Sequence, residues 1–129
     1  MDVAALNTLS KRVLDAAFAV HTELGPGLLE SAYEACLASE FTHRGLPFQQ
    51  QLPMPLVYNG QKLADVGYRL DFLVSGHLIL EIKAVEAIAA VHHAQLLSYL
   101  RLSDKHLGLL VNFNVASLRD GIHRKVNKL

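Results

Sequence analysis

The chain has no tryptophan, a single cysteine and only four prolines in 129 residues. A lone Cys36 excludes an intrachain disulfide and suits a reducing compartment. No run of about 18 apolar residues occurs, which excludes a transmembrane helix and any membrane partner that would need one. Asp2 precedes the first lysine and no cleavage-like signal follows, so nothing marks export and a cytoplasmic location is expected. Charge of one sign is also missing: twelve basic and twelve acidic residues cancel. There is thus no global cationic field of the kind strong, non-specific nucleic-acid binders carry. No repeat, linker or low-complexity tract interrupts the sequence. With 51% hydrophobic residues, residues 1–129 are long enough for one domain with a proper core. No feature indicates a homo-oligomer.

Seven histidines invite a zinc reading, but the spacing opposes it. His92 and His93 are adjacent, so on a helix they diverge by about 100° and do not chelate one ion. There is no His-x3-His pair, and Cys36 falls in an apolar stripe where packing explains it.

Periodicity divides the chain. Leu6, Leu9, Val13, Ala16, Val20 and Leu24 recur at steps of three and four, predicting an amphipathic helix that Gly25-Pro26-Gly27 ends. A second helix is expected from about Leu28 to His43, with Leu29, Tyr33, Cys36, Leu37 and Phe41 on one face and Gly45 as its stop. From Phe48 to Val74 the signals are strand-like, with a turn at Asn59-Gly60. Pro53 and Pro55 make the first of these strands an edge or an irregular one. After an ambiguous Ala84–Ala90 segment, a helix is predicted from about Val91 to Leu102. Leu107 to Phe113 reads as a buried strand, and Gly121 to Lys128 as a short final one. The expected fold is mixed α/β, in the order ααβββαββ.

The chemistry concentrates between Asp71 and Lys83. Asp71, Glu81 and Lys83 are unusual guests beside Phe72-Leu73-Val74 and Leu78-Ile79-Leu80, because buried ionised groups are costly unless paired or metal-bound. Side chains alternate along a strand, so Glu81 and Lys83 share a face and Ile82 takes the other. Ser75-Gly76-His77 is the only turn-like cluster between the two apolar runs. A three-residue loop there pairs Val74 with Leu78 and sets Asp71 opposite Glu81, with Cβ atoms about 4.5–5.5 Å apart. Two carboxylates that close repel unless a cation lies between them. A two-residue turn would instead pair Asp71 with Leu80 and send Glu81 to the opposite face. On the first parity the stretch reads as a hydrolytic metal site.

Gly27-Leu28-Leu29-Glu30-Ser31-Ala32-Tyr33 resembles the signature of the GxxExxY family, which belongs to the PD-(D/E)XK nuclease superfamily. The resemblance runs from the first helix to Leu109-Leu110-Val111-Asn112-Phe113. Its specificity lies in order: Glu30 on a helix, Asp71 and then Glu81-Ile82-Lys83 on a hairpin, then Gln95 and Tyr99 on the next helix. The proline nominally preceding the aspartate is absent, since Leu70 stands there. The resemblance implies a restriction-endonuclease-like core with a mixed central sheet flanked by helices. It implies a metal-dependent nuclease acting on DNA or RNA. Asp71, Glu81, Glu30 and the Ile82 backbone carbonyl would hold Mg²⁺ or Mn²⁺, a hard ion suited to few oxygen ligands. Lys83 would orient the attacking water, and Gln95 and Tyr99, four apart on one helix face, would support the site or touch the substrate backbone.

Plainer readings stand beside these. Glu30 near a helix start could merely complement the helix dipole. Asp71, Glu81 and Lys83 could form a structural ion-pair cluster, and Gln95 and Tyr99 could bond to backbone or fill the core. Tyr33 sits on the apolar stripe, where a core role bracing Glu30 is expected. Arg119, His123, Arg124, Lys125 and Lys128 form the only basic concentration, a phosphate contact or an ordinary solvated tail. The competing functions are a catalytically silent nucleic-acid-binding or accessory module of the same fold, and a protein-interaction domain with a purely structural acidic cluster.

Overall fold

The computed structural model describes all residues, 1–129. Helix α1 spans Val3–Leu24 and opens on Asp2, whose Oδ1 accepts the Ala5 N–H at 2.8 Å. Side-chain caps of this kind satisfy a helix-end donor that has no partner in the helix. Helix α2 covers Glu30–His43, starting two residues later than its sequence pattern suggests, because Leu29 is still extended. Strands β1 (Phe48–Tyr58), β2 (Gln61–Val74) and β3 (Leu78–Lys83) follow, then α3 (Ala90–Ser103), β4 (Leu107–Asn112) and β5 (Ile122–Val126). The expected order ααβββαββ holds. A 3₁₀ turn at Leu118–Gly121 is the one helical element without a sequence signal.

The five strands form one mixed sheet in the order β1-β2-β3-β4-β5. Only β3 and β4 are parallel, and a parallel pair needs a crossover, here supplied by α3. Both strands are buried on both faces, which is why they read as continuous apolar runs. One face carries a cluster in which Val13, Ala17, Tyr33, Leu37 and Phe41 of α1 and α2 meet Phe72, Leu80, Ile82, Leu109 and Val111. The other face packs Leu96 and Leu100 of α3 on Leu70, Leu73, Ile79 and Leu110. Gly108 permits that close approach: a Cβ there would lie 2.8 Å from Leu96 Cδ1. The result is three layers, helices on both sides of a sheet.

β1 is an edge strand, as its prolines require, with Pro53 opposite Arg69. Asn59 and Gly60 both take positive φ, 52° and 74°, which the two-residue hairpin between Tyr58 and Gln61 demands. Beyond Leu70 this hairpin runs past the last bonded pair between β2 and β3, and it leaves Leu56, Val57, Tyr58, Leu63 and Val66 exposed.

Candidate nuclease site

The loop parity that decides the site resolves as three residues. Val74 pairs with Leu78, Leu73 with Ile79 and Phe72 with Leu80. The same register sets Asp71 against Glu81, where the ladder stops and side chains take over. The Asp71 N–H donates to Glu81 Oε1 at 3.1 Å, and the Ile82 N–H donates to Asp71 Oδ2 at 2.9 Å. Each carboxylate thus binds the other strand's backbone. Glu81 is 5% exposed. Burial, then the neighbouring Asp71 charge, pushes its carboxyl up to about 9, with Lys83 opposing weakly.

No ion pair relieves this. None of the molecule's four salt bridges involves Asp71, Glu81 or Lys83, so the structural ion-pair reading of these residues does not hold. Nor do three metal-binding side chains converge in this state. The donor set still suits a hard divalent ion: two facing carboxyls, one buried, one half-buried and neither in an ion pair, are costly as two charges. A proton on Glu81 lowers that cost, and a cation bound between the two would do the same.

Glu30 opens α2 at its first helical residue. Burial and the Asp71 charge raise its carboxyl, while Lys83 opposes the rise. Asp71 and Lys83 both act on this carboxyl, so Glu30, exposed at the head of α2, senses the charges of the hairpin. Its loop is held by Tyr33, fully buried, whose hydroxyl donates to the Gly25 carbonyl at 2.6 Å and accepts the Leu28 N–H at 3.2 Å. The spacing from Gly27 through Glu30 to Tyr33 has a physical basis: the tyrosine ties down the turn that delivers the glutamate.

From the other helix layer, Tyr99 stacks on Tyr68 with ring centroids 4.8 Å apart. Burial and the charges of Glu81 and Asp71 raise its phenol, and the Gln95 side chain one turn earlier opposes that rise. Glu30 and Tyr99 thus feel the charges of the hairpin acids, Lys83 acts on Glu30 and Glu81, and Gln95 acts on Tyr99.

Three residues beside the site carry no warning in the chemistry of the motif. Gln51 adopts φ 49° between the pairs Gln50–Phe72 and Leu52–Leu70. It donates to Glu34 Oε1 at 2.6 Å and lies 3.5 Å from Asp71 Oδ1, while Gln50 donates to Glu34 Oε2 at 2.6 Å. The Gln49-Gln50-Gln51 run, polar where a strand is expected, was the available signal. Asn112 is a buried polar group in the apolar run of β4.

Several of the remaining candidates have structural partners. His92 Nδ1 accepts the Ala89 N–H at 3.0 Å and caps α3. His93 packs edge-on against His123. Arg124 donates to Asn7 at 2.8 Å, and Cys36 packs against the main core. The largest surface cavity, about 460 Å³, is lined by Thr42, Gly45, Leu46, Pro47 and Phe48 and holds none of the site residues.

A layered α/β domain with an Asp and a Glu-x-Lys on adjacent strands at a sheet end defines a restriction-endonuclease-like class. A family model described as the PD-(D/E)XK nuclease superfamily matches residues 7–125, and the chain belongs to that superfamily. Membership carries a nuclease-like function, and nucleases of the superfamily generally use divalent metal ions. Neither the curated proteins nor the solved structures contain a match to this chain.

Proposed function

We propose that this protein is a Mg²⁺- or Mn²⁺-dependent nuclease of the GxxExxY type, hydrolysing phosphodiester bonds of DNA or RNA in the cytoplasm. The observation that carries the reading is the facing of Asp71 and Glu81 with no ion pair to either. Asp71, Glu81, Glu30 and the Ile82 carbonyl would hold the ion. Bound there, it would stabilise charge developing on the phosphate. Lys83, one strand step beyond Ile82 and on the Glu81 face, orients the attacking water. Gln95 and Tyr99 border the phosphate path from α3. None of the surface cavities encloses the acidic residues, and an open sheet end suits a polymeric substrate.

The test is cleavage of single- and double-stranded DNA and RNA with Mg²⁺ or Mn²⁺, run beside Asp71→Asn. Products that need the metal and vanish in the variant support the reading. Metal-dependent binding of nucleic acid without products favours the silent module, which the zero net charge also favours.

A further inference from the structure

Three consecutive residues at the end of β4 each hold a segment that carries a site residue. Asn112 is 2% exposed and pairs with Lys83 in the parallel ladder. Its Oδ1 accepts the N–H groups of Val85 at 3.1 Å and Asn114 at 3.2 Å, and its Nδ2 donates to the Val85 carbonyl at 2.9 Å. The Phe113 N–H donates to the Lys83 carbonyl at 2.9 Å. These bonds fix the chain on both sides of Ala84 as it leaves β3.

The same three residues reach the opposite side of the site. The Phe113 ring stacks on Tyr33 with centroids 4.7 Å apart, and Tyr33 holds the loop before Glu30. Asn114 Oδ1 accepts the Gly27 N–H of that loop at 3.1 Å. The next residue, Val115, bonds through its carbonyl to His21 Nε2 at 2.8 Å, near the end of α1. Gly121 packs on the turn so tightly that a Cβ there would lie 2.1 Å from the Asn112 carbonyl oxygen. The turn is thus clamped from outside as well.

We propose that Asn112-Phe113-Asn114 is a positioning element that sets Lys83 and Glu30 at a fixed separation across the site. This rests on the reading of those two as functional residues. None of the three touches substrate: Asn112 acts through Lys83, and Asn114 through the loop that delivers Glu30. Their chemical demands differ. Asn112 uses an acceptor and a donor at once, which its amide supplies and an ionised carboxylate does not. Asn114 accepts only, and an aspartate can take its place.

The experiment is amide hydrogen exchange on the full chain, with Asn112→Ala, Asn114→Ala and Asn114→Asp, alongside kcat and KM for Mn²⁺-dependent cleavage. Asn112→Ala should speed exchange at Val85 and Asn114 roughly tenfold, the scale of one lost hydrogen bond, and leave Gly27 unchanged. Asn114→Ala should do the reverse, and Asn114→Asp should restore Gly27. Both alanine variants should lower kcat with KM unchanged. Uniform acceleration along the chain, or no local change at Val85 and Gly27, overturns the proposal. Should Asn112→Ala fail to fold, the two Asn114 variants still decide it. The local exchange pattern without cleavage by any form, wild type included, would overturn the nuclease reading and the positioning role together, leaving the three residues as structural ties; cleavage without the local exchange pattern overturns the positioning role alone.

Discussion

Asp71 and Glu81 face one another across β2 and β3, each accepting a hydrogen bond from the other strand's backbone, at 2.9 and 3.1 Å. Strand ladders are normally closed by carbonyl oxygens, and here two carboxyl groups close one instead. That geometry supports the sheet end and also places two acids where only one is easily ionised.

The first prediction concerns acidity. Glu81 has its carboxyl raised from 4.5 to about 9 by burial and Asp71. Between those values the folded protein keeps a proton that the unfolded chain releases, so metal-free stability must fall as pH rises. The slope is on the order of 1 kcal/mol per pH unit, and the favourable contribution is gone above the folded-state value. Urea melts in chelator from pH 5 to pH 8 measure it, and Glu81→Gln should flatten the dependence. Equal slopes in both proteins would show that Glu81 is already ionised.

Asp71→Asn separates a metal ligand from a structural anion. Asparagine still offers an oxygen to the Ile82 N–H, and the substitution removes the charge that raises Glu81 and Glu30. The metal-free variant should be as stable as wild type or more so, and any cleavage should drop by about 10²–10³-fold, the scale of losing one transition-state charge stabiliser. Marked destabilisation of the metal-free protein would argue that Asp71 is structural.

Much of this site was readable from the sequence because strand parity propagates. Once Ser75-Gly76-His77 makes a three-residue loop, the facing of Asp71 and Glu81 follows. Glu30 was placed by its distance from Gly27 at a helix start. What escaped depended on tertiary contacts. Leu70 and Leu73 both pack on the α3 side while Phe72 and Val74 pack on the other, so β2 departs from strict alternation around Asp71. Strict alternation cannot foresee that turnover, which lies beside the positive φ of Gln51. Asn112 reads as a polar interruption because its partner, Val85, is 27 residues away.

Tyr33→Phe tests how the glutamate loop is held. The ring, its stack on Phe113 and its burial are retained. Only the hydroxyl bridging the Gly25 carbonyl and the Leu28 N–H is lost. The cost should be about 1–2 kcal/mol of unfolding free energy, since two backbone groups lose a partner. Urea unfolding measures it, and a change below about 0.5 kcal/mol would mean that water replaces the hydroxyl at no cost.

Lys83 distinguishes a nuclease from a metal-binding relic of one. It lies on the Glu81 side of β3, within electrostatic reach of Glu81 and Glu30, yet forms no ion pair with either acid. With no fixed counter-charge, the ammonium contributes little to stability through pairing. Left unpaired beside two acids, its amine is free to hold a water or a phosphate oxygen. Lys83→Ala should therefore preserve Mn²⁺ affinity within about threefold, a change near 0.7 kcal/mol, while turnover falls by at least about 10²-fold. Calorimetric titration with Mn²⁺ and a single-turnover cleavage assay on the same preparation separate the two effects. Parallel loss of binding and turnover would instead place Lys83 in the support of the carboxylates, and the assignment of the attacking water to it would fall.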